Sequence, residues 1–215
     1  MRKIFAIVGA LVAAGTAQAQ LITFGFTDMA GAFDASGSSM SIDVSAVFGT
    51  SGDVTLRPAM GTALFDTGFG LPADISFDLS IGNVTATTAD ATSGQFSIID
   101  ADGDAIQGGL TGMWTDQGTG FSFFDGTLSM VQIQDLGGAD GQFDGPSGGS
   151  FDISSYTGQA WSGGVSFLMP TPAGFFTSDF DDNVTLVDGV IEVPAPAGAA
   201  VLAGLGLAGV RRRRR

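Results

Sequence analysis

Asp74-Ile75-Ser76-Phe77-Asp78-Leu79-Ser80-Ile81 alternates polar and apolar residues without a break. Successive side chains of a β-strand point to opposite faces, so this stretch sorts cleanly in an extended backbone and smears around the circumference of a helix. Ile75, Phe77, Leu79 and Ile81 share one face, and the carboxylates and hydroxyls take the other. The same alternation recurs at 41–48, 95–99, 127–133, 164–169 and 183–187. Gly, Asp, Asn and Pro clusters separate the runs, as turns do, and the Gly-rich stretches 31–39 and 137–149 read as loops. About ten strands, each with one wet face, predict an all-β antiparallel sandwich or jelly roll, with a barrel as the alternative.

The two ends of the 215-residue chain differ in kind from this body. Arg2 and Lys3 precede an apolar run from Ile4 to Ala14, and Ala17-Gln18-Ala19 follows with small residues at the −3 and −1 positions of a cleavage site. Residues 1–19 therefore read as a secretory signal peptide, cut after Ala19 by a signal peptidase. The expected domain spans 20–190.

Residues 191–215 form the other end. Val193-Pro194-Ala195-Pro196 stiffens the chain, residues 197–210 carry no charge, and Arg211, Arg212, Arg213, Arg214 and Arg215 close it. At about 1.5 Å per helical residue the uncharged run spans roughly 21 Å, short of a hydrocarbon core of about 30 Å. The arginines orient such a helix with its end in the cytoplasm. An extended motif, a marginal membrane helix and a basic stop, in that order, resemble the PEP-CTERM sorting signal, with Ala195 standing where that family has Glu. The resemblance implies transient membrane anchoring through the C-terminal helix. It also implies processing by an exosortase, a membrane transpeptidase, and display at the cell surface or in the extracellular matrix. An ordinary C-terminal anchor is the plainer reading.

Charge separates the body from its ends. Of the 8 Lys and Arg, seven lie in the two terminal segments, leaving Arg57 alone among 22 acids, of which only Glu192 is not Asp. Such a surface repels nucleic acid and anionic headgroups and attracts cations. There is no Cys and no His, and Lys3 is the only lysine. That removes disulfides, Ser-His-Asp and Cys-His catalysis, Schiff bases and zinc sites built on imidazole or thiolate. Paired carboxylates remain, but nothing in their spacing selects a pair, and no enzyme is expected.

Asp100-Ala101-Asp102-Gly103-Asp104 is the best constellation in the body. Carboxylates at alternate positions around a glycine resemble the first half of an EF-hand calcium loop. Ala105 replaces that loop's glycine and Thr111 its bidentate Glu, so the resemblance stops halfway. Asp102-Gly103 is equally a two-residue hairpin signal. Two further acidic groups, Asp135, Asp140, Asp144 and Asp152, then Asp179, Asp181 and Asp182, read as solvated turns or as cation ligands. Trp114, Trp161 and Tyr156 suit either a sugar-stacking platform or the core. These features predict an exported structural or adhesive surface protein, alone or with extracellular polysaccharide. The alternative is a calcium-dependent carbohydrate-binding module.

Overall fold

The computed structural model describes residues 20–58, 60–66, 74–135 and 140–193. Ala17 and Ala19 of the expected cleavage site, the motif residues Pro194, Ala195 and Pro196, the apolar run and the arginines all lie outside the described residues. The described residues contain no helix, and so none long and apolar enough to cross a membrane. They form β1 (Gln20–Thr27), β2 (Met29–Asp34), β3 (Ser39–Asp43), β4 (Ser51–Arg57), β5 (Gly61–Phe65), β6 (Asp74–Gly82) and β7 (Thr88–Ile99). There follow β8 (Asp104–Asp116), β9 (Phe121–Asp135), β10 (Gln142–Asp144), β11 (Ser150–Asp152), β12 (Trp161–Pro170), β13 (Phe180–Val184) and β14 (Leu186–Val193). Twelve strands make one antiparallel sheet in the order β13-β2-β3-β6-β7-β8-β9-β12-β14-β1-β4-β5, and β10 pairs with β11 as a separate hairpin.

The fold class expected from alternation is present, built from one sheet curled into a half-barrel whose flanks face each other as sandwich layers do. Ile75, Phe77, Leu79 and Ile81 of β6 all point inward. Phe77 meets Phe24 of β1 at 6.4 Å and Phe167 of β12 at 5.0 Å between ring centroids, although neither strand neighbours β6 in the sheet. Burying a Phe side chain contributes about 1.5–3 kcal/mol, so this aromatic layer drives the curl. Irregularities in pairing give the curl a place. Register shifts occur at Ser80/Ile81 of β6, Ala91/Gln95 of β7, Gln107/Gly109 of β8 and Trp161/Gly163 of β12. An extra residue in one strand bends it and increases its twist.

Two strands turn the corner between the flanks together. β1 becomes β2 through Asp28 alone, and β13 becomes β14 through Thr185 alone. Phe26 lies opposite Val187 and Met29 opposite Val184, so one register runs through the bend. Asp28 takes a left-handed backbone, with φ of 58°. Its carbonyl accepts a hydrogen bond from Thr50 Oγ1 at 2.7 Å, and its Oδ1 accepts one from Asn183 Nδ2 at 2.9 Å. Thr50 Oγ1 also accepts the Ser45 N–H at 2.8 Å.

That buried hydroxyl explains one departure from the sequence reading. The alternating run 41–48 is strand only to Asp43. Beyond it Ser45 O accepts the N–H groups of Gly49 and Thr50, closing a turn that leaves Val47 90% exposed. The Gly-rich stretch 31–39 departs the other way, because β2 runs through Gly31. A Cβ there would lie 2.8 Å from Val184 Cγ2, so the glycine marks close strand packing and not a loop. At the outer edge of β5, the β10–β11 hairpin lays Gly145 and Gly149 against the backbone of Leu64 and Thr62, covering an edge otherwise open to pairing.

Thr50→Val keeps the shape of the corner residue but leaves the Ser45 N–H and the Asp28 carbonyl without their hydroxyl partner. It is expected to cost about 1–3 kcal/mol, read as a lower urea midpoint at unchanged slope.

Candidate metal centre

The β7–β8 connection, Asp100 to Gly103, is four residues long, so the Asp-Gly pair does not form the two-residue turn that its sequence signals. Asp100 organises it instead. Its Oδ1 accepts the backbone N–H groups of Asp102 at 3.2 Å, Gly103 at 2.9 Å and Asp104 at 2.8 Å. The N–H of Asp100 closes the loop on Asp104 O at 2.9 Å. Gly103, at φ of 110°, supplies the backbone reversal that an L side chain resists.

A second segment lies over this turn. Asp100 Oδ2 accepts the backbone N–H of Asp144, from β10, at 2.9 Å. Just before β10, Asp140 Oδ1 accepts the N–H of Gln142 at 2.8 Å. Carboxylate oxygens of Asp100, Asp102 and Asp104 all lie within 4.8 Å of one another, and so do those of Asp102, Asp140 and Asp144. Asp102 belongs to both triads. Asp100 and Asp104 are buried, Asp144 is half-buried, and Asp102 and Asp140 face solvent.

This spacing suits a hard cation. Calcium takes oxygen ligands at about 2.3–2.6 Å, so oxygens across one ion sit roughly 5 Å apart. The donor set is all carboxylate, which favours calcium or magnesium over zinc or copper. Asp102 is placed to bridge the triads, Asp140 and Asp144 to close the solvent side, and Asp104 to supply a buried ligand. Asp100, with both oxygens engaged by backbone N–H groups, holds the turn in shape and retains lone pairs for an ion.

Electrostatics fits the same picture. Burial pushes the Asp100 carboxyl up to about 6, with the Asp144 N–H opposing the rise and Asp102 adding to it. Burial also raises Asp144, helped by repulsion from Asp140 and Asp102 against a hydrogen bond from Ser150. Negative charge in this cluster is therefore costly until a proton or a cation neutralises it.

The structure joins the sequence candidates selectively. Asp100, Asp102 and Asp104 come together as one cluster, and Asp140 and Asp144 join it from about forty residues away. No local spacing links those segments, so sequence reasoning left them in separate groups. Thr111, where an EF-hand would have its last ligand, lies within β8 opposite Thr127. Asp152 caps the backbone of Ser154 at 2.9 Å, Asp179 accepts the Ala35 N–H at 2.9 Å, and Asp182 accepts the Asn183 N–H at 2.7 Å. Those carboxylates act as turn and strand caps. Trp114 is fully buried among Phe124, Phe167 and Phe176, and Trp161 packs edge-on to Tyr156 at 5.9 Å. Neither offers a stacking platform. No protein-family model, curated protein or solved structure matches the chain.

Both pKa shifts are upward, so the folded protein holds protons that the unfolded chain has lost. Metal-free stability is expected to fall as pH rises from 3.8 through about 6. Calcium needs the ionised carboxylates. Millimolar Ca²⁺ should therefore raise Tm most above pH 6, with a smaller increment at pH 5, in paired melts with EDTA and with calcium. Asp102→Asn, an exposed and isosteric change shared by both triads, should weaken calcium binding about tenfold or more by calorimetry.

Proposed function

We propose that this chain is an exported, acidic β-protein of structural or adhesive type that acts at the cell surface or in the extracellular matrix and is steadied there by calcium. One observation carries the export reading. Seven of the eight Lys and Arg lie in the two terminal segments, and the strands between them carry Arg57 alone against an acidic surface. Gln20 and Val193 lie opposite each other in the sheet. β14 runs through Ile191, Glu192 and Val193, and Ile191 is fully buried. The sheet thus includes residues 191–193, beyond the 20–190 bounds expected of the domain.

In this reading a signal peptidase releases the N-terminus and the apolar tail holds the protein at the membrane. An exosortase-type enzyme then acts near Val193 to Pro196. The tail's arginines face the cytoplasm while the acidic domain lies outside. Calcium at the Asp100–Asp104 and Asp140–Asp144 cluster would neutralise the loop end of β7 and β8 and pin the β10 segment to it. Extracellular media supply that ion, so exported protein would be stiffest after it leaves the cell.

The mass of the mature protein recovered from its own cells tests the delivery route. A species beginning at Gln20 and lacking everything beyond about Pro196 is the expected outcome. An intact Arg215 on membrane-bound protein would leave only an ordinary anchor.

A further inference from the structure

A polar trough crosses the outer face of the sheet, on the side away from the aromatic core. Its larger part, a depression of about 880 Å³, lies over β2, β3, β6 and β7. A second depression of about 380 Å³ continues it onto β8 and β9, and the two share Asp78, Gly94 and Gln95. The trough follows one cross-strand row. Asp181, Ala32, Ser41, Asp78, Gln95 and Gly109 stand opposite one another in register from β13 to β8. At about 4.8 Å per strand the row is roughly 24 Å long.

Its floor dips where Ala32, Ser41 and Gly109 stand in the row. Ser80 and Ser93 flank the row on β6 and β7, and both are exposed. Gly94 lies at the β7 bulge, where a Cβ would lie 2.5 Å from Asp78 O and 2.8 Å from the buried Leu79 side chain, so β6 and β7 pack closely beneath the trough. Met130 stands on the far rim, 67% exposed and held at φ of 51°.

The lining chemistry selects an occupant. Carboxylates, hydroxyls and the side-chain amides of Gln95, Gln107 and Gln132 both accept and donate hydrogen bonds along the full length. No Lys or Arg lines either depression, so an anionic polymer is repelled. Phe33, Met40 and Leu79 of the lining are buried and Phe180 is half-buried, so no fully exposed aromatic face is present to bury a lipid or an apolar peptide. We propose that the trough binds an extended, uncharged polysaccharide, whose hydroxyls meet the Ser, Asp and Gln side chains while Met130 covers one sugar face. This inference rests on the extracellular location proposed above but not on the calcium centre, which lies in other loops.

Affinity electrophoresis of the secreted protein tests it. Gels carry hydroxyethylcellulose or dextran as neutral chains, alginate as an anionic chain and glycol chitosan as a cationic one, each with calcium and with EDTA. At least one neutral polymer should retard the wild type, alginate should not, and EDTA should leave the retardation in place. The double variant Asp78→Asn/Gln95→Ala should bind about tenfold more weakly, and Ser41→Trp, which fills the trough, should abolish retardation. Asp125→Asn, on a different part of the outer face, should retain it. The altered residues point outward, and matching melting curves confirm folding of whichever variants are scored. Migration unaffected by both neutral polymers, retardation by glycol chitosan alone, or full retention in both trough variants would each overturn the proposal. A failed calcium titration leaves it standing, and failed retardation leaves the calcium reading standing.

Discussion

One sheet must hide one entire face without a second layer to cover it. That constraint shapes the rest of the molecule. Phe24 of β1 meets Phe77 of β6 and Phe96 of β7, and Phe77 meets Phe167 of β12, at 5.0–6.4 Å between ring centroids, although none of these strand pairs are neighbours in the sheet. Only a sharply curled sheet brings them together. The bulges in β7 and β9 provide the bend, and the paired corner at Asp28 and Thr185 carries two strands from one flank to the other without losing register. Where ring and backbone approach most closely, side chains vanish. A Cβ on Gly189 would lie 2.0 Å from Phe24 Cζ, so the ring occupies the space over that glycine.

Solvation of the outer face follows from the inner one. With apolar residues turned inward at every second position, the outward positions fall to Ser, Thr, Gln and Asp, and the acids meet almost no basic partner. On open surface this costs little, since each carboxylate is hydrated. Where two loops cross at Asp100 and Asp144, hydration is curtailed, and charge accumulates in a partly dry place. The raised carboxyls of Asp100 and Asp144 are the signature of that squeeze. The backbone N–H groups aimed at Asp100 keep the loop folded, but they do not cancel a cluster of five carboxylates. A proton or a cation in that space would neutralise it.

Much of this was legible in local pattern. β6 could be read directly from 74–81, and the strands at 95–99, 127–133 and 164–169 stand inside β7, β9 and β12. Errors came where a distant group overrode local alternation. Val44 to Phe48 alternates like a strand, but the Thr50 hydroxyl and the Ser45 carbonyl fold it into a turn at the Asp28 corner. Gly31 looks like loop material and is a close contact between β2 and β13. Trp114 suits either a sugar platform or the core, and its position opposite Phe124, facing Phe167 and Phe176, decides for the core.

Strand character, the sign and scale of the charge, and the chemistry denied by missing His and Cys can be read along the chain. All of these reside in composition or in neighbours a few residues apart. Tertiary packing makes Asp140 and Asp144 meet Asp102, curls one sheet in place of stacking two, and lines up outward residues from six strands as a trough. Each depends on register and curvature between segments remote in the chain, and a period of two specifies which face a residue takes without specifying what that face will meet.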